Sequence, residues 1–160
     1  DFAFTTLRNF VLSSWALQMW QRLAASSDEQ LAAIAGKAVK EARYHREHAA
    51  DWVVRLGDGT DESAHRMAAA LERAWPYCAE LFDADDTDRD AQVRGLGPSW
   101  STLEEAWRAD VSAVLQEAGM TMPADSAFRS DGKRGRHSEH MGRLLAEMQY
   151  LHRAFPGGVW

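Results

Sequence analysis

The residues best suited to chemistry are one carboxylate and two imidazoles close together in the chain, Glu41, His45 and His48, with Tyr44 beside them. Carboxylate-bridged di-iron bundles draw such ligands from four helices, two of which carry the spacing Glu-x-x-His. In this chain the residue three positions after Glu41 is Tyr44. His45 comes one position late, which rotates it by about 100° around a helix. The segment therefore predicts a degenerate metal position.

The preceding segment supplies no acidic ligand. Residues 2–27 contain neither Asp nor Glu, whereas a di-iron bundle takes a carboxylate from each of its helices. The one Glu-x-x-His spacing in the chain runs from Glu62 to His65, and we interpret it as a solvated helix end. We therefore predict that this chain provides no metal ligands. The polar residues named above are expected to form a buried or half-buried network that fixes helix register.

A second cluster precedes the last helical segment and contains three basic side chains, Lys133, Arg134 and Arg136. Basic side chains ahead of a helix N-terminus are suited to binding phosphate groups or an acidic partner. The alternative is a solvated loop that ends at a helix cap, Ser138. Both interpretations remain open from the sequence.

Composition narrows the range of functions. The 160 residues contain 18 Lys and Arg against 24 Asp and Glu, a net charge of −6, which argues against general affinity for nucleic acid. No apolar run approaches the ~18 residues that a membrane span needs. The single cysteine, Cys78, excludes an internal disulfide and suits a reducing compartment, so we expect a cytoplasmic protein. Cys78 falls on an apolar row and is interpreted as a core residue.

Hydrophobic periodicity predicts five helices and no strand, so the fold class is all-α and residues 1–160 form a single domain. The helices are expected at about 2–25, 26–57, 60–82, 99–118 and 138–154. Asp28 or the serine before it should cap the second helix, and Gly57 should end it in a left-handed conformation. Pro76 should kink or split the third helix. Ser101 and Glu104 have the spacing of a capping box.

Each predicted helix carries an apolar face. The second helix is the longest, and its small and apolar residues share a face with the carboxylate and imidazoles described above. The rows of the three later helices are Met67, Leu71, Trp75, Cys78 and Phe82; Leu103, Trp107, Val111, Val114 and Leu115; and Met141, Leu144, Leu145, Met148 and Leu151. The first helix is apolar on more than one side, which predicts burial on two sides or a partner.

Three strings carry a resemblance to a known family: KAVKEARYHREHAADWVVRLGDGTDES (37–63), AELFDAD (79–85) and KRGRHSEHMGRLLAEMQYLHRAFPGGVW (133–160). On these residues the chain resembles the non-catalytic C subunits of multicomponent phenylacetyl-CoA ring epoxidases. The resemblance covers essentially the whole chain. It implies a ferritin-like helical bundle whose longer members carry about two further helices ahead of the first residue here, so this chain is expected to represent the C-terminal two thirds of such a subunit.

The resemblance also implies a function. It assigns the di-iron centre to a separate catalytic subunit, so this chain is expected to be a metal-free structural partner, without a cofactor of its own, in an oxygen-dependent monooxygenase complex of phenylacetate catabolism. The uncovered apolar breadth of the first helix predicts a homo- or hetero-oligomer. Two alternatives stay open: an independent ferritin-like di-iron oxidase, and a subunit that recognises the phosphates of CoA through the basic cluster.

Overall fold

The structure is a computed structural model that describes residues 1–159 and contains α-helices and short 3₁₀ helices, with no strand in that range. The all-α prediction is confirmed, and the helices are consistent with a ferritin-like bundle. The chain forms two compact units, residues 1–129 and a second unit that starts at Ser130. Helices of the first unit are α1 (Phe2–Leu23), α2 (Glu29–Gly57), α3 (Asp61–Ala74), α4 (Asp86–Val93) and α5 (Glu104–Glu117), and the second unit contains α6 (His140–Ala154).

The two longest helices, α1 and α2, pack against each other more extensively than any other pair. Only five residues connect them, so they run antiparallel, as predicted. Asp28 caps α2, because its carboxylate accepts a hydrogen bond from the backbone N–H of Leu31 at 2.9 Å. At the start of α1, the Asp1 carboxylate accepts from the N–H of Phe4 at 3.0 Å.

The buried side of α2 is built from small residues. Ala35, Ala42 and Ala49 are buried at intervals of seven residues, and Val53 continues the same side. A seven-residue repeat keeps one seam of a helix against its neighbour over several turns. The small side chains let α1 approach closely, and Ser14 of α1 is fully buried.

Gly57 is the last residue of α2, but the reason for glycine differs from the prediction. Its φ is not positive, since the positive-φ glycines in the described chain are Gly95, Gly119, Gly135 and Gly157. A Cβ added at position 57 would lie 2.5 Å from the carbonyl oxygen of Ala118 and 2.8 Å from its Cβ. Close approach between the ends of α2 and α5, and not a left-handed turn, therefore requires glycine here.

The segment after α2 follows the predicted pattern closely. Thr60 caps α3, since its hydroxyl accepts from the N–H of Ser63 at 3.2 Å and the Ser63 hydroxyl accepts from the N–H of Thr60 at 2.9 Å. Pro76 splits the predicted helix, and a 3₁₀ helix spans Trp75–Phe82. The whole predicted apolar row of this segment is buried.

The next segment begins later than predicted. A 3₁₀ turn, Trp100–Leu103, precedes α5. Leu103 occupies the N-cap position of α5, so no side chain caps this helix. The predicted capping box is therefore wrong: the Ser101 hydroxyl pairs with that of Ser99 at 3.0 Å, and Glu104 accepts from Arg108. The predicted apolar row of α5 is buried throughout.

Trp107 occupies the centre of the first unit and is almost fully buried. Its indole Nε1 donates a hydrogen bond to the carbonyl oxygen of Val11 at 3.0 Å. Its ring stacks on Trp75, with centroids 5.7 Å apart, and meets Phe82 edge-on at 5.1 Å. One side chain of α5 thus ties α1 and the 3₁₀ segment together.

The second unit contains a 3₁₀ turn, Gly132–Arg134, and α6. The residue before α6 is Glu139, which makes no side-chain capping bond, so the predicted cap at Ser138 is wrong. No residue of α6 is buried, although its apolar residues have helical spacing. Within residues 1–159, no helix combines the length and the apolar character needed to cross a lipid bilayer.

Candidate functional site

The polar residues of α2 lie on an exposed side of that helix. Glu41, Tyr44, His45 and His48 are all exposed, and the Tyr44 side chain is 63% accessible. At 100° per residue, Glu41 and the two His form a stripe about 90° from the seam that contains Ala42. The predicted buried polar network is therefore wrong. Its residues were assigned to the apolar face of α2, but the buried residues of that face are Ala35, Ala42, Ala49 and Val53.

Within that stripe the contacts are local. The Tyr44 ring stacks on His48 with centroids 6.0 Å apart and meets His45 edge-on at 5.6 Å. In the described residues 1–159, no three His, Cys, Asp or Glu side chains converge as metal ligands. Glu62 accepts from the Nε of Arg66 at 2.6 Å, one turn along the exposed surface of α3. The donor set of this part of the chain does not fit a di-iron centre.

The basic cluster lies in a tight turn at the start of the second unit. The guanidinium of Arg134 donates to the Asp131 carboxylate at 2.9 Å, and the backbone N–H of Arg136 donates to the Asp131 carbonyl at 3.0 Å. Gly135 closes the turn with φ of 85°. Lys133 and its two arginine neighbours are exposed. The turn thus presents basic side chains on the surface and partly balances them with Asp131.

A cavity of about 210 Å³ lies between the 3₁₀ segment and α5. Arg108 crosses it, with Nε donating to Glu104 at 2.8 Å and Nη2 donating to Asp125 at 2.8 Å. Burial opposes the positive charge of Arg108, but the two carboxylates outweigh burial and raise the pKa of the guanidinium. The positive charge of Arg108 is therefore compensated within this cavity by Glu104 and Asp125.

Cys78 also lines that cavity and is buried. Burial raises the pKa of its thiol from 9.0 to about 12, although the positive charge of Arg108 acts in the opposite direction. The thiol lies 3.7 Å from the carbonyl oxygen of Ala74. Because the thiolate is the reactive form, this cysteine is a poor nucleophile at neutral pH.

The ion pairs of the first unit were not predicted from the sequence, and two of them differ in whether a sequence signal exists. Glu104 and Arg108 are four residues apart on one helix, a spacing that signals such a pair. Arg46 on α2 and Asp110 on α5 are sixty-four residues apart, and no local pattern connects them.

Exposed apolar side chains are grouped on α6. Leu144, Leu145, Met148 and Leu151, together with Phe155 directly after the helix, are between 41% and 71% exposed. Isolated apolar residues are common on protein surfaces, but a continuous group on one helix marks an interaction site. We therefore interpret this group as a candidate functional surface.

The sequence profile of a family described as "Phenylacetic acid catabolic protein" matches residues 1–160. A protein from Escherichia coli (strain K12), named as the C subunit of 1,2-phenylacetyl-CoA epoxidase, is 45% identical to the chain over 160 residues. The alignment covers 100% of this chain and 64% of that relative. The chain thus spans somewhat less than two thirds of the length of this relative.

Proposed function

Because the chain belongs to the phenylacetic acid catabolic protein family, we propose that it is a structural subunit of a multicomponent phenylacetyl-CoA 1,2-epoxidase. The observation that carries the proposal is 45% identity, over the whole chain, to a protein named as the C subunit of that epoxidase. Family membership confirms the resemblance drawn from residues 37–63, 79–85 and 133–160. The complex epoxidises the aromatic ring of its CoA thioester with dioxygen and with electrons from a reductase subunit.

In this proposal the chain binds no metal and has no cofactor, and a separate catalytic subunit holds the di-iron centre. Two features support this division. The α1 segment lacks acidic residues, and the stripe that contains Glu41 and His45 has Tyr44 where a ligand histidine would be needed. In this proposal the role of the chain is to support the catalytic subunit within a cytoplasmic hetero-oligomer.

Metal analysis distinguishes this role from that of an independent di-iron oxidase. The purified chain is loaded anaerobically with Fe(II), passed through a desalting column and analysed for iron, with the catalytic subunit as a positive control. We expect iron well below one atom per chain. Two irons per chain would show that the chain builds its own di-iron centre and would exclude the structural role.

Reconstitution tests the requirement for the subunit directly. The catalytic subunit, the reductase and phenylacetyl-CoA are assayed for ring epoxidation with and without this chain. Activity should fall to background when the chain is omitted, and the chain should co-elute with the catalytic subunit in size-exclusion chromatography. Full activity in its absence would contradict the proposal.

A contact with the phosphates of CoA is the second candidate role, and the exposed turn that contains Lys133 and Arg136 favours it. Reversing the charge with Arg136→Glu should raise the KM for phenylacetyl-CoA several-fold while the subunits stay associated. Arg153→Glu, the same change near the end of α6, is the matched control. Dissociation of the subunits by Arg136→Glu would instead identify the turn as a subunit interface.

A further inference from the structure

The segment that follows α5, residues 121–129, is called here the strap. It contains neither a helix nor a strand. The last backbone hydrogen bond at the end of α5 runs from the N–H of Met120 to the carbonyl oxygen of Leu115 at 2.8 Å. Beyond it, no backbone N–H of the strap donates to a backbone carbonyl in the described part of the chain. Side chains must therefore hold the strap in place.

Three side chains of the strap contact the rest of the first unit. Asp125 accepts a hydrogen bond from Nη2 of Arg108 at 2.8 Å, although the Asp125 side chain is 70% exposed. The Phe128 ring meets the half-exposed ring of Tyr77 edge-on, with centroids 5.2 Å apart. Met122 packs against the core and is only partly buried. Few buried contacts and no backbone ladder are typical of segments that open locally at a low free energy.

The strap forms one wall of the cavity of about 210 Å³ described above. Asp125, Ser126 and Arg129 line the cavity from the strap, while the 3₁₀ segment and α5 provide the other walls. Cys78 is among the lining residues and is only 6% exposed. A reagent that enters this cavity can reach the Cys78 thiol once the strap moves away.

A second route to Cys78 is conceivable. The residue also lines an apolar groove of about 280 Å³ between α1 and the 3₁₀ segment, together with Leu12, which is 44% exposed. This groove is open to solvent, yet the thiol remains buried. Passage from the groove requires α1 to separate from the core, whereas passage from the cavity requires only the strap to move.

We propose that the strap opens as a unit while the helices of the first unit stay folded, and that this opening controls access to the Cys78 thiol. With the strap closed, the thiol is protected in two ways. It is buried, and the charge of Arg108, which favours the thiolate, is offset by Glu104 and Asp125. Opening admits water to the cavity and removes Asp125 from Arg108, so both forms of protection weaken together.

The test uses the whole chain and methyl methanethiosulfonate, a small uncharged reagent. The Cys78 thiolate attacks its sulfenyl sulfur, a methylthio group is transferred and methanesulfinate leaves. Since Cys78 is the single cysteine of the chain, mass spectrometry of the intact protein at pH 8 gives the rate at this position. The strap acts within this chain, so the catalytic subunit is not required.

Phe128→Ala should raise the rate about two- to tenfold, because it removes the ring contact with Tyr77 without changing any charge. Asp125→Asn should raise it about two- to fivefold, as expected for loss of an exposed ion pair. Two control variants should change the rate less than twofold. Asp90→Asn removes an exposed ion pair with Arg94 outside the strap, and Leu12→Ala widens the apolar groove.

Low concentrations of urea separate opening of the strap from global unfolding. A segment of nine residues exposes little surface, so the wild-type rate should stay nearly constant below the unfolding transition. A rate that rises steeply from the lowest urea concentrations would show that Cys78 reacts only through global unfolding, and would overturn the proposal.

Three other results would also overturn it. Unchanged rates in both strap variants would show that the strap does not control access. Faster reaction of Leu12→Ala than of Phe128→Ala would place the route through the apolar groove. Equal acceleration by Asp90→Asn and Asp125→Asn would show that the effect is not specific to the strap.

Discussion

The guanidinium of Arg46 on α2 contacts both carboxylate oxygens of Asp110 on α5, with Nε donating to Oδ2 at 3.1 Å and Nη2 donating to Oδ1. Both side chains are largely shielded, at 21% and 24% exposure. Arg46 also lies over the ring of Phe10, 5.7 Å from its centroid. A bidentate ion pair thus joins α2 and α5 next to Phe10 of α1. Two parallel hydrogen bonds and partial shielding from solvent make this pair stronger than an ordinary surface ion pair.

Asp110→Asn should therefore lower the free energy of unfolding by about 1–3 kcal/mol, because it leaves a partly shielded guanidinium without its counter-charge. The measurement is urea unfolding followed by circular dichroism. Glu62→Gln is the control, since Glu62 pairs with Arg66 at 2.6 Å on an exposed surface, and its loss should cost less than about 0.5 kcal/mol. Equal effects of the two substitutions would contradict the special role of the Arg46 pair.

Trp107→Phe should destabilise the first unit by about 2–4 kcal/mol, since it leaves a cavity and removes the donor to the buried carbonyl of Val11. Trp52→Phe is the matched substitution at a half-buried position, where the ring meets Phe2 edge-on at 5.4 Å. We expect it to cost less than about 1 kcal/mol. Thermal and urea unfolding measure both changes, and similar losses would show that Trp107 is not the central contact.

Two glycines of α2 should respond to alanine in opposite ways. Gly57→Ala forces a Cβ to 2.5 Å from the carbonyl oxygen of Ala118, so we expect a loss of about 1–3 kcal/mol and a shift between the ends of α2 and α5. Gly36→Ala meets no atom within 4 Å and should stabilise the helix by about 0.5–1 kcal/mol. If both substitutions stabilise the protein, the close contact at Gly57 is refuted.

The Cys78 thiol should make stability depend on pH in the alkaline range. The unfolded thiol ionises near its ordinary pKa of 9.0, whereas burial raises the pKa in the folded protein to about 12. The contribution of the protonated Cys78 thiol to the free energy of unfolding is therefore complete below pH 9. It is lost as pH rises toward 12, by at most about 1.4 kcal/mol per pH unit.

The stability difference between wild type and Cys78→Ala isolates this effect, because the other titrating groups cancel. We expect the difference to fall from pH 9 to pH 11, and a constant difference would contradict the burial of the thiol. Ellman's reagent should likewise react slowly with the native protein at pH 8 and rapidly in guanidinium chloride.

The sequence by itself determined the local features of the protein. The helical period located the buried rows of α3 and α5, Asp28 and Thr60 were recognisable as caps, and Pro76 was recognisable as a break. These features depend on residues within a few positions of each other, so a single sequence contains the necessary information. The same strings were enough to identify the family.

Only the tertiary structure decided which face of α2 is buried and which residues meet across helices. The alanines of α2 have helical spacing, and so do Ile34 and the polar stripe. The packing of α1 against α2 nevertheless buries Ala42 and leaves Ile34 52% exposed. The capping-box spacing at Ser101 was overridden by a 3₁₀ turn. Contacts such as Arg46 with Asp110 and Gly57 with Ala118 join distant positions, and local propensity contains no information about them, because their partners meet only when the helices pack.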